Sequence, residues 1–264
     1  MEEFAKTALR PHIIQIENTI GNCCTLVLGR EKALLFDTMA GLGDLKSYVE
    51  QLTDLPVTVV NSHGHFDHMG GNYQFEDTYM NPLDWPLLSR FEKWLDVIGA
   101  SAGHDLSGTL ESYRKPPMSL QEGMIWDLGG VTARAVSLPG HTPGSLGLLL
   151  EEDKILLAGD ALSPEMCLFF PESLSVETYL HTLEQVDEMP INWFIQGHFR
   201  RLFPRSLIKK LRDCALLPGK KKGYPYVNSP LPALRGTMYI LEFQNPDAGG
   251  TICMITKEEE NVSG

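Results

Sequence analysis

The stretch "HGHFDH" sets His63, His65, Asp67 and His68 within six positions, directly after the run "VTVV". In an extended segment residues two apart point the same way, so His63 and His65 present imidazoles to one point, and Gly64 leaves the space between them clear. A turn after them brings Asp67 and His68 to a second point. Three imidazoles and a carboxylate suit a borderline divalent cation, zinc first, with iron or manganese as the other choices. With 8 histidines and 14 aspartates in 264 residues, composition alone would produce this pattern roughly 4 × 10⁻⁴ times. Coincidence is a poor explanation.

The elements that must position these groups alternate between strand-like and helix-like patterns. "HIIQIENTIGNCCTLVLGREKALLFDT" reads as strands divided by polar turns and forms one side of a β-sandwich. A helix over residues 43 to 53 is broken by Pro56 before the strand that delivers His63. Residues 83–115, with Leu87, Leu88, Phe91, Leu95 and Ile98 at helical spacing, read as a helical insertion. From Met124 the β-pattern returns with turns at Gly129-Gly130 and Glu151 to Lys154, giving a second sheet. A helix at 175 to 188 has Ser175 as N-cap, and "NWFIQG" is a strand leading to His198. A further helix, 204 to 217, begins at Pro204, and two short strands follow around 237 to 243 and 251 to 256. No clean linker interrupts the chain, so residues 1–264 read as one domain with an insertion at 83–115 and a C-terminal extension from 204 to 264.

The first motif resembles that of the metallo-β-lactamase superfamily, and the resemblance extends in order over roughly residues 12 to 200. "LPGHTPGS" supplies His141, "ILLAGD" supplies Asp160, "FIQGH" supplies His198 and "ALLFDT" supplies Asp37. The resemblance implies an α/β fold, an αββα sandwich of two mixed β-sheets flanked by helices. It also implies two metal ions: His63, His65 and His141 around one, Asp67, His68 and His198 around the other, and Asp160 bridging. Asp37 would support them from behind. His12, His104 and His181 match no motif.

Two cations sharing a water acidify it toward neutral pH, and hydrolysis by a bridging hydroxide is the reaction that follows, with Asp67 moving the proton. The expected activity is metal-dependent hydrolysis of a small ester, thioester or lactone-type carbonyl. A phosphodiesterase using the same metals, a mononuclear iron persulfide dioxygenase and a non-catalytic metal-dependent binding protein are the alternatives. The set of seven ligands is the one shared with glyoxalase II-like thioesterases. Nine of the 22 basic residues fall between Arg200 and Lys222, and Arg205 and Lys209 among them would draw an anionic substrate, against the competing reading of a solvated helix face. Trp85, Phe169 and Phe170 would wall an apolar pocket, against ordinary core packing. Cys167 reads as an inert thiol near the pocket.

A formal charge of −12 argues against a nucleic-acid surface. No run of eighteen apolar residues and no leader pattern occurs, so no membrane partner is expected. Five cysteines without a C-x-x-C fit a reducing cytoplasm. The expected partner is a small molecule; homo-oligomerisation is left open.

Overall fold

Ala33–Phe36 (β4) is a strand of four consecutive buried apolar residues, and such a strand has to be covered on both faces. The computed structural model describes residues 3–88, 109, 111–112, 116–228, 233–243 and 250–257. In it Leu34 and Phe36 face a second sheet, while Ala33 and Leu35 face a layer containing the helix Leu45–Glu50 (α1). The first sheet runs β1 (Phe4–Arg10), β2 (Ile13–Asn18), β3 (Cys23–Leu28), β4, β5 (Val57–Val60), β6 (Thr78–Met80), β7 (Met118–Ser119). It is antiparallel as far as β4 and parallel beyond it.

The second sheet takes β8 (Ile125–Asp127), β9 (Thr132–Ser137), β10 (Leu146–Leu150), β11 (Ile155–Leu157), β13 (Trp193–Ile195) and β14 (Phe203–Pro204). Along β10 the side chains of Leu146, Leu148 and Leu150 enter the core between the sheets, and Leu149 faces outward to a helical layer. That layer holds the helices Val176–Glu188 (α3) and Leu207–Ala215 (α4), which contribute Tyr179, Leu183, Ile208 and Leu211 to the outer core. The order helix, sheet, sheet, helix is the αββα sandwich.

A third, four-stranded sheet was not anticipated. In it β12 (Glu165–Leu168) pairs in parallel with β17 (Gly250–Thr256), followed by β16 (Arg235–Phe243) and β15 (Tyr224–Val227). The two predicted C-terminal strands are β16 and β17, and their long-range partner β12 carries no local signal of the pairing. Two helix boundaries differ from expectation. The first helix is shorter than 43 to 53, since Asp44 caps it by accepting from Ser47 N (3.0 Å). The last does not start at Pro204: that proline sits on the edge strand β14, opposite Trp193, where its missing N–H costs no ladder bond. Of the segment read as a helical insertion, residues 85–88 are helical, while Phe91, Leu95, Ile98 and His104 lie outside the described residues.

Leu148 sits fully buried in the inter-sheet core, and Ile125 on the edge strand β8 is 58% exposed. Leu148→Ala should lower the unfolding free energy by about 2–5 kcal/mol, and Ile125→Ala by under about 0.5 kcal/mol, in urea titrations.

Candidate metal centre

Five strands end at one edge of the sandwich. β4 and β5 are parallel, β11 and β13 are parallel, and β9 runs in the same sense as β11 because each is antiparallel to β10. The residues just past their C-terminal ends are Asp37, His63, His141, Asp160 and His198. Backbone bonds hold the two sheets together there, from Leu146 N to Ser62 O (2.8 Å) and from Cys23 N to Gly197 O (2.8 Å). Gly197 has no room for a side chain: a Cβ would stand 2.5 Å from His68 Cε1 and 2.9 Å from Asp160 Oδ1.

His65 is the N-cap of the short helix Phe66–Met69 (α2), and this turn swings Asp67 and His68 away from the direction of His63 and His65. His63, His65, His68 and His141 are buried, and the side chains of Asp67 and His198 are 21% and 30% exposed. Three groups of side chains could hold a cation, with donor atoms within 4.8 Å of one another: His63, His65 and His141; His63, His68 and Asp160; Asp67, His68 and His198. His141 Nε2 lies 3.1 Å from His65 Nδ1, and Asp160 Oδ1 lies 3.2 Å from His198 Nε2 and 3.4 Å from His68 Nε2. Two nitrogens about 2.05 Å from one tetrahedral zinc are about 3.3 Å apart, so these spacings fit ligands of a shared ion. His63 Nε2, His68 Nε2 and Asp160 Oδ1 are buried without a hydrogen-bond partner among the described residues, as inward-facing ligand atoms are.

The outward nitrogens are committed elsewhere. His63 Nδ1 meets Ser62 Oγ (2.9 Å), His65 Nε2 meets Glu172 Oε1 (2.8 Å), His68 Nδ1 meets Asp37 Oδ2 (2.9 Å) and His141 Nδ1 meets the Cys167 carbonyl (2.7 Å). Each contact fixes a ring and leaves the other nitrogen facing the cluster. Asp37 also accepts from Ser62 N (2.7 Å) and Ser62 Oγ (2.9 Å), and these contacts hold it at φ +69°, a strained conformation for a non-glycine residue.

Burial, then the neighbouring imidazole of His65, pushes His141 down to about 4, so it is a neutral ligand near pH 7. Burial also carries His63 well below its usual value. For His68, burial opposes ionisation, but the carboxylates of Asp160, Asp67 and Asp37 outweigh it and raise it well above the ordinary range. Asp160 is likewise resisted by burial yet held well down by His198 and His68. Burial raises the Cys167 thiol, which keeps it protonated and a poor nucleophile.

Phe170 sets its ring edge-on to His65 (4.9 Å between centroids) and to His141 (5.6 Å), and Phe169 stacks on it at 4.4 Å. Trp85 is exposed, next to the buried Asp84. Neither Arg205 nor Lys209 is brought to the cluster. Arg205 lies against Asp187, with its backbone bonded to Asn192 at the end of β13 opposite His198, and Lys209 is exposed on α4. Arg212 pairs with Glu184 and Lys210 with Asp213. His12 contacts Asp153 and His181 contacts Glu184, both apart from the cluster.

Two acids were missed. Glu172 orients His65 from 107 residues away. Asp84 accepts from Gly64 N (3.0 Å), Thr142 Oγ1 (2.6 Å) and Gly144 N (2.7 Å), tying the His63–His65 loop to the His141 loop, and burial raises its pKa. The three-residue reach from His141 to Gly144 and the glycine of "HGH" were the only signals, and neither names an acid.

The sequence model of the metallo-beta-lactamase superfamily matches residues 20–198. The chain belongs to the metallo-β-lactamase superfamily and is a metal-dependent hydrolase of that class. It is 27% identical over 209 residues to the acyl-coenzyme A thioesterase MBLAC2 of Homo sapiens, covering 70% of this chain and 75% of the relative. It is 28% identical to the hydroxyacylglutathione hydrolase GloC of Haemophilus influenzae, over 53% of this chain and 66% of that one. Among solved structures, a metallo-beta-lactamase from Pontibacter korlensis aligns with a TM-score of 0.61 at 16% identity, over 81% of this chain and 99% of that one. The alkylsulfatase Pisa1 of a Pseudomonas species aligns at 0.64 and 15%, over 81% of this chain and 42% of that one. These structures share the fold. No helix among the described residues is long and apolar enough to cross a membrane.

Glu172→Ala should weaken zinc binding by about 10- to 100-fold in competition with a chromophoric chelator, because His65 loses the contact that sets its ring. An unchanged affinity would remove Glu172 from the centre.

Proposed function

We propose that the protein hydrolyses a carboxylic thioester of a small molecule, using two divalent cations, zinc first. The observation that carries this reading is the convergence of seven side chains, four of them imidazoles whose outer nitrogens are already committed. The names of the relatives, an acyl-coenzyme A thioesterase and a hydroxyacylglutathione hydrolase, support the thioester among the carbonyl substrates considered.

His63, His65 and His141 would hold one cation, Asp67, His68 and His198 the other, and Asp160 would lie between. Bound cations supply a water acidified to near-neutral pKa and a positive charge for the carbonyl oxygen. Asp67 is the partly open carboxylate of the cluster, with Oδ2 3.7 Å from His198 Nε2 and 3.5 Å from the Asn22 side-chain amide, so it is suited to take up the proton released in the attack and return it to the departing sulfur. A thiol leaves easily, since its pKa is about 8.5 against far higher values for alcohols, which lightens the demand on that acid. Phe170 shields the His65 and His141 side of the site from bulk water.

Protein loaded with zinc and desalted should carry about two zinc ions per chain by elemental analysis. One iron per chain, with oxygen uptake on a persulfide, would favour the dioxygenase reading. Asp67→Asn should keep at least one ion and lose about 10²-fold or more in kcat on an acyl thioester. Wild-type turnover in that variant would remove Asp67 from proton transfer. A panel of thioesters, lactones and phosphodiesters tests the substrate class, and turnover confined to phosphodiesters would overturn the thioester reading.

A further inference from the structure

The third sheet has one face in the core and another that belongs to no hydrophobic cluster among the described residues. Met166 and Leu168 of β12 and Ile252 and Met254 of β17 point into the outer core with α3 and α4. The alternate residues point the other way. The registers put four of them in a single row across all four strands: Cys167 opposite Ile255, Ile255 opposite Met238, and Met238 opposite Tyr224. Every member is uncharged and largely apolar.

Burial is greatest at the second member of this row and falls from there to the far end. Ile255 is buried, Cys167 and Met238 are half-buried, and Tyr224 at the far end is 59% exposed. The near end joins the metal centre directly, for the Cys167 carbonyl is the acceptor for His141 Nδ1. Two residues further on, Phe169 packs over Gly236, where a Cβ would stand 3.0 Å from Phe169 Cβ, and sets its ring 5.1 Å from that of Tyr226. Phe169 stacks on Phe170, which touches His65 and His141. A line of packed apolar side chains therefore runs from the ligand imidazoles to the half-buried Met238 and the exposed Tyr224 of this face. The adjoining row begins at the exposed Glu165, so the uncharged row is the one that suits a hydrocarbon.

We propose that this row of the C-terminal sheet seats the hydrocarbon chain of an acyl thioester whose carbonyl lies at the metal centre. The proposal rests on the thioesterase reading. Three inter-strand spacings of about 4.8 Å give a track of about 14 Å. An extended chain advances roughly 1.3 Å per C–C bond of about 1.5 Å, so the track matches roughly eleven carbons. The exposed end at Tyr224 sets no wall, so longer chains overhang into water. Three of the four strands lie beyond the residues that the superfamily's sequence model matches, so the seat is a property of this chain's C-terminal part.

The test uses zinc-loaded protein and the acetyl, hexanoyl, dodecanoyl and tetradecanoyl thioesters of N-acetylcysteamine, which share one small neutral thiol. Half-burial of each methylene predicts about a twofold gain in kcat/KM per carbon and, with some loss to water, at least a tenfold gain from acetyl to dodecanoyl, followed by a plateau. Met238→Glu should remove at least tenfold of that gain, mostly through KM. Tyr224→Ser, at the exposed end, should shorten the chain length at which the plateau begins, and it stands in if Met238→Glu fails to fold by circular dichroism. Equal kcat/KM for acetyl and dodecanoyl thioesters in the wild type, or an unchanged length profile in both folded variants, would overturn the seat. Calorimetric titration of metal-free protein with dodecanoate separates the two readings. If no thioester of any length is hydrolysed, yet dodecanoate binds and Met238→Glu weakens it at least tenfold, the reaction is wrong and the seat stands. If thioesters are hydrolysed without length preference and dodecanoate does not bind, the reaction stands and the seat is wrong.

Discussion

Five imidazoles and two carboxylates converge at this centre with their inner atoms only 3 to 4 Å apart, and most of them are out of contact with water. Groups packed in this way would turn to find other partners unless something prevented it. What prevents it is the set of outer contacts: Ser62, Glu172, Asp37 and the Cys167 carbonyl each hold a ring by the nitrogen that faces away. Asp37 shows the cost most plainly, since its backbone is kept in a left-handed conformation so that one carboxylate can serve Ser62 and His68 together. The rest of the sandwich can be understood as the means of bringing these supports to the edge from remote parts of the chain.

Strand direction is the main means. The antiparallel meander of the first sheet turns parallel at β4, and the second sheet places β9, β11 and β13 in one sense, so five strand ends deliver their next residues to one line. Both faces of β4 and β10 are covered, which fixes their register firmly, because a slip by one residue would exchange the two cores. The buried carboxylate of Asp84 then ties together two loops that belong to different sheets.

Legibility in the sequence followed the range of the interactions. "HGHFDH" could be read from the residues themselves, because four donors lie within one turn of chain. His141, Asp160 and His198 could not: each is an ordinary residue after an ordinary strand, and only the order of motifs shared with a known superfamily joined them. Glu172 and Asp84 stayed hidden, since a lone acid reveals nothing until the fold sets it against a ring or an amide 20 to 107 residues away. The third sheet was missed for the same reason, as β12 finds its partner β17 some 88 residues later. Pro204 misled because a proline opens a helix or sits on an edge strand equally well by its local chemistry. The basic cluster was legible as charge, but the partners of Arg205, Arg212 and Lys210 were not: Asp187, Glu184 and Asp213 all lie in the helical layer.

The two ends of the ligand cluster are walled differently. His63, His65 and His141 are sealed behind Phe170 and the loops that Asp84 joins, whereas Asp67 and His198 border solvent. On the proposed reading, an ion at the open end would exchange with its surroundings directly, and one at the sealed end would have to pass that first position or wait for the loops to part. On that reading, the order in which two such ions enter and leave would then be set by these walls as well as by the ligand sets.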